Sequence, residues 1–510
     1  MNVENSQTAL AREKNDLASF GYREELARSL GSFSSFAAGF SYISILTGMF
    51  QLFYLGFHAG GPGFFWSWPL VFAGQMTVAL CFAELAAHYP VAGGVYQWAK
   101  LTVSPFMGRL TGLVYLACLI VTLAAVSLAL QNTLPQIWEG FQVFGKLNNP
   151  LDSAQNAVFF ACLVILLSTL INTVGVGFLS KINNVGVTCE LLGIAALIVL
   201  LALHLKRGAL GTIVPQAPMG NAELRSYLPS FFAATALTAS YVLFGFDTAG
   251  SLAEETLRPR ERAPRAILQA LLAAGISGGG LLLLALMATG SLHSPELSTS
   301  GGGLGFIVRE SVGETWGKIL LCDVVIAIIA CVLAVHSGIV RLIFSMARDE
   351  SLPFSSQLSQ VDPRSKLPLV PVLVSAGMAI ALLLVNLRFP KIVELVTSLA
   401  ALWANLAYLL VGTGLLYRRF HGWPALISDV SSDRFFTLGR WGMPINLLAV
   451  CFSVFMVINI GWPRTAVYGT QWYTLYSPLW LSAFLLVSGT IYFRVTRRIA
   501  FVGSALLAGR

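Results

Sequence analysis

Three groups of residues in this chain have types and spacing that suit chemistry, and all three lie inside apolar stretches. The first is Gly39-Phe-Ser-Tyr-Ile-Ser-Ile-Leu-Thr-Gly-Met-Phe50, where Ser41, Ser44, Thr47 and Gly48 interrupt a long hydrophobic segment. The second is Tyr241-Val-Leu-Phe-Gly-Phe-Asp-Thr-Ala-Gly250, which sets Asp247 between two glycines and is followed by Ala253-Glu-Glu-Thr256. The third is Glu190, about two turns inside another apolar run. None of them offers the nucleophile–base pair or ligand cluster of an enzyme, so no catalytic residue, metal or cofactor is expected. Small and polar residues within an apolar segment can instead tolerate a break in a helix. Such a break bares N–H groups at the start of one half and carbonyls at the end of the other, which attract anionic and cationic groups respectively. The same residues also suit a close helix–helix contact, and the first stretch alone does not choose between the two.

The elements that carry these residues are set by composition. Of the 510 residues, 56% are hydrophobic and 11% charged, against about 25% charged in soluble domains. Apolar runs fall near 32–57, 64–88, 106–131, 155–175, 183–204, 230–253, 265–290, 319–346, 370–387, 391–417, 444–462 and 475–494. Each is long enough for a membrane helix, and the alternation of a membrane barrel is absent. The expected fold is an all-α polytopic membrane protein of about twelve spans. The run at 32–57 would be a helix of roughly 39 Å, longer than the ~30 Å hydrocarbon core, which leaves room for a break. Irregular backbone at that depth survives only where it lines a cavity. The polar N-terminus argues against a cleavable signal peptide.

The net charge of +8 raises the question of nucleic acid, but the placement of the cations answers it. With the N-terminus in the cytoplasm and each run reversing the chain, 23 of the 32 Lys and Arg fall on the cytoplasmic side. The positive-inside rule therefore places both termini in the cytoplasm, and no nucleic-acid partner is expected. All seven cysteines lie in apolar runs without metal-site spacing and read as small buried hydrophobes.

Five motifs then carry a resemblance. Ile43-Ser-Ile-Leu-Thr-Gly48 is followed by Ala83-Glu-Leu-Ala-Ala-His-Tyr-Pro-Val-Ala-Gly-Gly-Val-Tyr-Gln-Trp98, by the Gly-Phe-Asp…Ala-Glu-Glu stretch at 245–255, by Arg341-Leu-Ile-Phe-Ser-Met-Ala-Arg-Asp-Glu-Ser-Leu-Pro353, and by Phe436-Thr-Leu-Gly-Arg-Trp-Gly-Met-Pro-Ile-Asn446. In this order they resemble the amino acid–polyamine–organocation superfamily, and within it the branch of GABA, choline and amino-acid permeases. The resemblance covers nearly all of 30–495. It implies a five-plus-five inverted repeat, leucine-transporter-like, with the first and sixth helices broken and two extra helices at the C-terminus. It divides the chain into a cytoplasmic segment 1–30, a ten-helix core 31–420, a cytoplasmic loop 421–443, two further helices within 444–496 and a tail 497–510.

A secondary transporter of the plasma membrane working by alternating access is therefore expected, carrying an amino acid or GABA-like zwitterion. The first span is expected to break near Ile45–Thr47 and the sixth near Gly245–Asp247. Free N–H groups around Thr47 and Gly48 would take the carboxylate. Carbonyls around Ser44, Ile45, Leu243 and Phe244 would take the ammonium, with Gly245, Phe246 and Asp247 completing the site and Tyr241, Phe244 and Phe246 closing it. Asp247 either binds the amine or caps the second half of the sixth helix. Glu84, Glu254 and Glu255 read as ion pairs near the cytoplasmic surface, and Asp323 and His336 as polar groups facing the bundle interior.

Glu190 is expected to couple transport to protons. Proton-coupled relatives carry Asn-Asn-x-x-x-x-x-Lys where this chain has Asn183-Asn184…Glu190, so the resemblance holds with a change of sign. Bonding to a neighbour such as Thr188 or Asn184, or facing a hydrated cavity, is the structural alternative. A sodium site would need several oxygens, and the eighth run offers few hydroxyls beyond Ser337. Other readings stay open: a choline- or polyamine-type cation as cargo, and a sensor that binds an amino acid without moving it. Gly275-Ile-Ser-Gly-Gly279 matches a hydrolase elbow on paper but lies mid-run and reads as a helix contact. Gly313-Glu-Thr-Trp-Gly-Lys318 is one residue short of a phosphate loop and lends ATP no support.

Overall fold

The computed structural model describes residues 17–18, 20–23, 25–26, 28–146, 149–213, 237–363, 366–385, 387, 392–423 and 435–508. The expected opening of the sixth span, 230–236, and most of the 421–443 loop lie outside the described residues, as does most of the 1–30 segment.

Helices account for nearly all of the described chain, and among the described residues the only β pairing is one isolated bridge, Leu30 to Thr256. The long elements are α1 (Ser32–Ile43), α2 (Ile45–Gly60), α3 (Ser67–His88), α4 (Gly94–Thr102), α5 (Pro105–Ser127), α6 (Leu130–Ile137), α7 (Pro150–Val174) and α8 (Val176–Leu203). They continue with α9 (Thr248–Ser251), α10 (Pro259–Ala288), α11 (Gly303–Val312), α12 (Glu314–Arg348), α13 (Leu369–Val385), α14 (Ile392–Phe420), α15 (Gly442–Gly461) and α16 (Ser477–Ala508). Eleven of the twelve apolar runs coincide with one of these helices, or with the two halves of a broken one, and the sixth is described from residue 237 on. In hydrocarbon the backbone must satisfy its own hydrogen bonds, and an apolar run of this length does so as a helix.

Local signals set several ends. Pro105 begins α5 and the Ser104 hydroxyl accepts from the Met107 N–H at 3.2 Å, an N-cap. The last helix runs on to Ala508, past the expected start of the tail at 497. Large apolar side chains such as Leu170, Leu192 and Phe484 stand exposed on the outer helices, as a surface turned toward lipid requires.

The centre of the bundle is α12, packed against α8, α5 and α1, while α10 lies on α1 and α3. The α3–α10 contact uses the small residues noted above. A Cβ on Gly275 or Gly278 would lie 2.1 Å from Phe72 or 2.3 Å from Trp68, and the Trp68 indole donates to the Gly275 carbonyl at 2.8 Å. The stretch 275–279 is thus a helix contact. The start of α12 is likewise ordinary helix, with Lys318 paired to Glu314. The cysteines are free, but only Cys81, Cys118 and Cys331 are buried; Cys162 and Cys189 are half-buried and Cys322 and Cys451 exposed, because those faces of their helices meet lipid rather than protein.

Candidate functional site

The first span breaks at Ser44, one residue before the expected stretch. Ser44 takes φ 35° and ψ 91°, left-handed space that costs a non-glycine residue about 1–3 kcal/mol. Its N–H bonds back to Phe40 at 2.9 Å, closing α1, and its carbonyl accepts from Gly48 at 3.1 Å, opening α2. The Gly48 N–H, expected to be free, is therefore occupied by the helix itself. Gly48 instead gives room to a neighbour: a Cβ there would lie 2.5 Å from Val242 Cγ2.

The open N-terminus of α2 is filled by a side chain. Glu190 Oε1 accepts the Ser44 hydroxyl at 2.9 Å and the Leu46 N–H at 3.3 Å, while Ser44 and Thr47 share a hydroxyl–hydroxyl bond of 2.6 Å. Ser44, Thr47 and Glu190 are all buried. The other oxygen, Glu190 Oε2, is buried with no hydrogen-bond partner among the described residues. Thr188 and Asn184, the local alternatives, are not its partners. Thr188 bonds its own helix and Asn184 reaches Ser34.

The sixth span opens where it was expected to. Residues 237–242 are helical, the chain unwinds from Leu243 to Asp247, and α9 resumes at Thr248. Gly245 has φ 91°, and a Cβ there would sit 1.8 Å from the Tyr42 ring, so both its backbone and its packing require glycine. Asp247 departs from the capping expectation. It occupies the N-cap position of α9, but its carboxylate does not bond the helix. It accepts instead from Tyr115 at 2.6 Å and from Tyr408 at 2.5 Å, and the Tyr408 hydroxyl in turn accepts from the Gly245 N–H at 3.0 Å. Two phenols satisfy the acid more completely than one helix end could. Tyr115 and Tyr408 escaped notice in the sequence, where a tyrosine in an apolar run carries no mark of its partner.

Aromatic rings close this centre. Phe244 packs edge-on against Tyr42 at 5.7 Å and against Tyr241 at 6.0 Å, and Phe246 lies 5.5 Å from Tyr408. The two breaks thus meet across the Tyr42–Phe244 and Gly48–Val242 contacts, in a closed conformation. Both carboxylates here, Glu190 and Asp247, are held by hydroxyls and backbone N–H groups, and no basic side chain among the described residues bonds either one.

Beyond the breaks, a small cleft of about 30 Å³ lies between α1, α8, α9 and α12, lined by Ser34, Asn183, Thr248, Ser337, Arg341 and Glu255 among others. Its floor is a two-pronged ion pair, Arg341 to Glu255 at 2.8 and 3.1 Å, beside Arg348 to Glu254 at 2.8 Å. Glu84 pairs with Arg419 and accepts from the Leu438 N–H at 2.9 Å. These three acids do form the expected ion pairs, but as buried groups and not at the surface. Outside the spans, the Tyr22 hydroxyl donates to Asp349 at 2.9 Å and accepts from Lys100 at 2.8 Å. Burial is the main cause that pushes the Tyr22 hydroxyl up from the usual tyrosine range, against the lowering effect of Lys100. His336 is a structural tie, bonded to Ser168 of α7 and Ser375 of α13 at 2.9 Å each.

The family profile described as amino acid permease matches residues 30–488. The chain belongs to the amino acid permease family. This permease is similar to the amino-acid permease BAT1 of Arabidopsis thaliana, 26% identical with 88% of this chain and 89% of the relative covered. It is similar also to the branched-chain amino acid permease BcaP of Bacillus subtilis, 26% identical over 88% and 91% of the two chains. The GABA-specific permease of Saccharomyces cerevisiae is 23% identical over 97% and 86%. The permease is a polytopic membrane transporter and not an enzyme.

Proposed function

We propose that this permease moves an amino acid or a GABA-like zwitterion across the plasma membrane by alternating access, with both termini in the cytoplasm and protons as the coupling ion. The observation that carries the reading is the filled pole of the first span: a helix opened at Ser44 presents its N–H groups to a carboxylate, and that carboxylate is Glu190. An N-terminus that holds one carboxylate can hold another. In the closed conformation Glu190 stands where the substrate's carboxylate would bind. A proton on Glu190 removes the charge that α2 attracts and releases the pole to the substrate, so proton and substrate are bound together. The site consists of Ser44, Ile45 and Thr47 from the first span and Leu243, Phe244, Gly245, Phe246 and Asp247 from the sixth, with Tyr241 and Phe246 as gates and Gly48 behind it as the packing contact with Val242. The ammonium finds carbonyls at the ends of the two first halves and the acid of Asp247.

On this reading the chain divides into a ten-helix core within 31–420 built as a five-plus-five inverted repeat, the 421–443 loop, two added helices that begin within 444–496, the second continuing to Ala508, and cytoplasmic ends 1–30 and 497–510. The positive-inside count supports this orientation.

A second reading has its own observation. Among the described residues the centre holds two acids and no basic partner, which also suits a cation without a carboxylate, such as choline or a polyamine. Uptake of labelled leucine, γ-aminobutyrate, choline and putrescine into proteoliposomes separates the two. Leucine or γ-aminobutyrate is expected to accumulate, and accumulation of choline or putrescine alone would overturn the zwitterion reading.

A further inference from the structure

One acid in the bundle has no part in the site described so far. Asp323 lies on α12 nine residues from Glu314, about 14 Å along the helix. Its carboxyl rests against α8 at Gly193, one turn beyond Glu190: a Cβ on Gly193 would come 1.6 Å from Asp323 Oδ2 and 2.7 Å from its Cγ. A glycine within a helix costs about 1 kcal/mol relative to alanine. At this position it provides an indentation in α8 occupied by a carboxyl group.

That carboxyl is not spent on structure. Asp323 Oδ2 is buried with no hydrogen-bond partner among the described residues, and so is Glu190 Oε2. Buried polar atoms are ordinarily paired, and a purely architectural acid would have acquired a donor, as Asp247 and Glu84 have. Glu190 and Gly193 are one turn apart on α8, so the two carboxyls lie along the same side of that helix. Asp323 is also only partly buried, whereas Glu190 is sealed at the middle of α8.

We propose that Asp323 receives protons from outside and passes them to Glu190. The inference rests on the reading of Glu190 as the coupling residue. In the orientation given above, Asp323 lies on the outer side of Glu190. A proton from the external solution binds the Asp323 carboxylate. The O–H bond on Asp323 then breaks as one forms on Glu190, directly or through one water, and the negative charge returns to Asp323 for the next proton. Glu190, now neutral, lets go of the α2 pole.

Among the described residues, α12 carries Cys322 and Cys331 besides Asp323, with Glu314 and Lys318 at its outer end and His336, Arg341 and Arg348 further toward the inner end, while α8 adds Cys189 and α1 Tyr42. The charges of α10 sit in its first two turns, at Arg260, Glu261, Arg262 and Arg265, and α7 has Asp152 and Cys162. On α11 Arg309 and Glu310 lie at the outer end, where Glu310 meets Lys206, and on α8 Lys181 is nine residues away toward the other side.

The test uses the full chain in proteoliposomes and whichever of leucine, γ-aminobutyrate, choline or putrescine the wild type accumulates fastest. Two modes are compared: net uptake driven by an inward proton gradient, and exchange of labelled for unlabelled substrate at equal pH, which does not require proton release. Asp323→Asn is expected to slow gradient-driven uptake at least about tenfold more than exchange. Gly193→Ala, which alters no ionisable group but pushes the carboxyl aside, is expected to act in the same direction, and the double variant to be no slower than Asp323→Asn. Equal slowing of both modes by Asp323→Asn, or a Gly193→Ala variant that behaves as wild type, would overturn the relay. A wild type indifferent to the gradient, or one that accumulates none of the four, would instead remove the Glu190 reading on which the relay rests.

Discussion

The carboxylate of Glu190 lies 2.9 Å from the hydroxyl of Ser44, the residue at which the first span breaks. A side chain from the middle of α8 thus closes the end of a half-helix belonging to α2. The bond joins the element that opens the binding pole to the residue assigned to coupling, so that a change of charge on one must be felt by the other.

The second break is held differently. Asp247 takes two tyrosine hydroxyls, and Tyr408 also receives the Gly245 N–H. A hydrogen bond to a charged group contributes about 1.5–3 kcal/mol. Tyr115→Phe and Tyr408→Phe are each expected to lower the thermal unfolding midpoint in detergent, and Tyr408→Phe by more, because it also orphans the Gly245 N–H. Two midpoints equal to that of the wild type would show that the phenols do not hold the acid.

Gly48 is where the two broken spans touch, through Val242. Overpacking of this kind costs about 1–3 kcal/mol. Gly48→Ala is expected to depress transport of zwitterionic and carboxylate-free substrates alike, and Val242→Ala in the same chain to restore part of it. A loss confined to carboxylate-bearing substrates, with no rescue by Val242→Ala, would mean that Gly48 meets the substrate rather than its neighbour.

The extent to which the sequence disclosed these features follows from how local each one is. The spans were legible because hydrophobic length alone decides them, and the break at 245–247 because Gly245 must take φ 91°. The first break falls one residue before the stretch that the sequence suggests: serine in left-handed space is uncommon, and Ser44 is kept there by bonds to Glu190 and Thr47 that no local pattern displays. The same holds for Asp247. The spacing of a cap was present, yet Tyr115 and Tyr408 come from α5 and α14, 132 and 161 residues away in sequence. Glu190 was recognisable as a costly acid, but its partner was not, since contacts across the bundle leave no trace in spacing.

Arg341 and Glu255 bear on the inward side. The pair is buried, and breaking such a pair costs about 3–5 kcal/mol because the remaining charge is stranded. A conformation that lets water reach Glu255 relieves that cost, so Arg341→Ala is expected to favour the inward-open form. A cysteine placed at Asn183, in the cleft, should then react faster with a membrane-impermeant maleimide applied from the cytoplasmic side than it does with Arg341 intact. Unchanged reactivity would show that the ion pair does not guard the cleft.

Coupling through Glu190 is tested most directly by uptake under an inward proton gradient, with and without sodium, in the wild type and in Glu190→Gln. The pole is available to a substrate carboxylate only while Glu190 is neutral, so acidifying the outside should speed uptake by the wild type regardless of sodium. Glu190→Gln, neutral at every pH, should lose that dependence while still exchanging substrate. A wild type that ignores the gradient, or a Glu190→Gln variant that keeps its full response, would contradict the assignment.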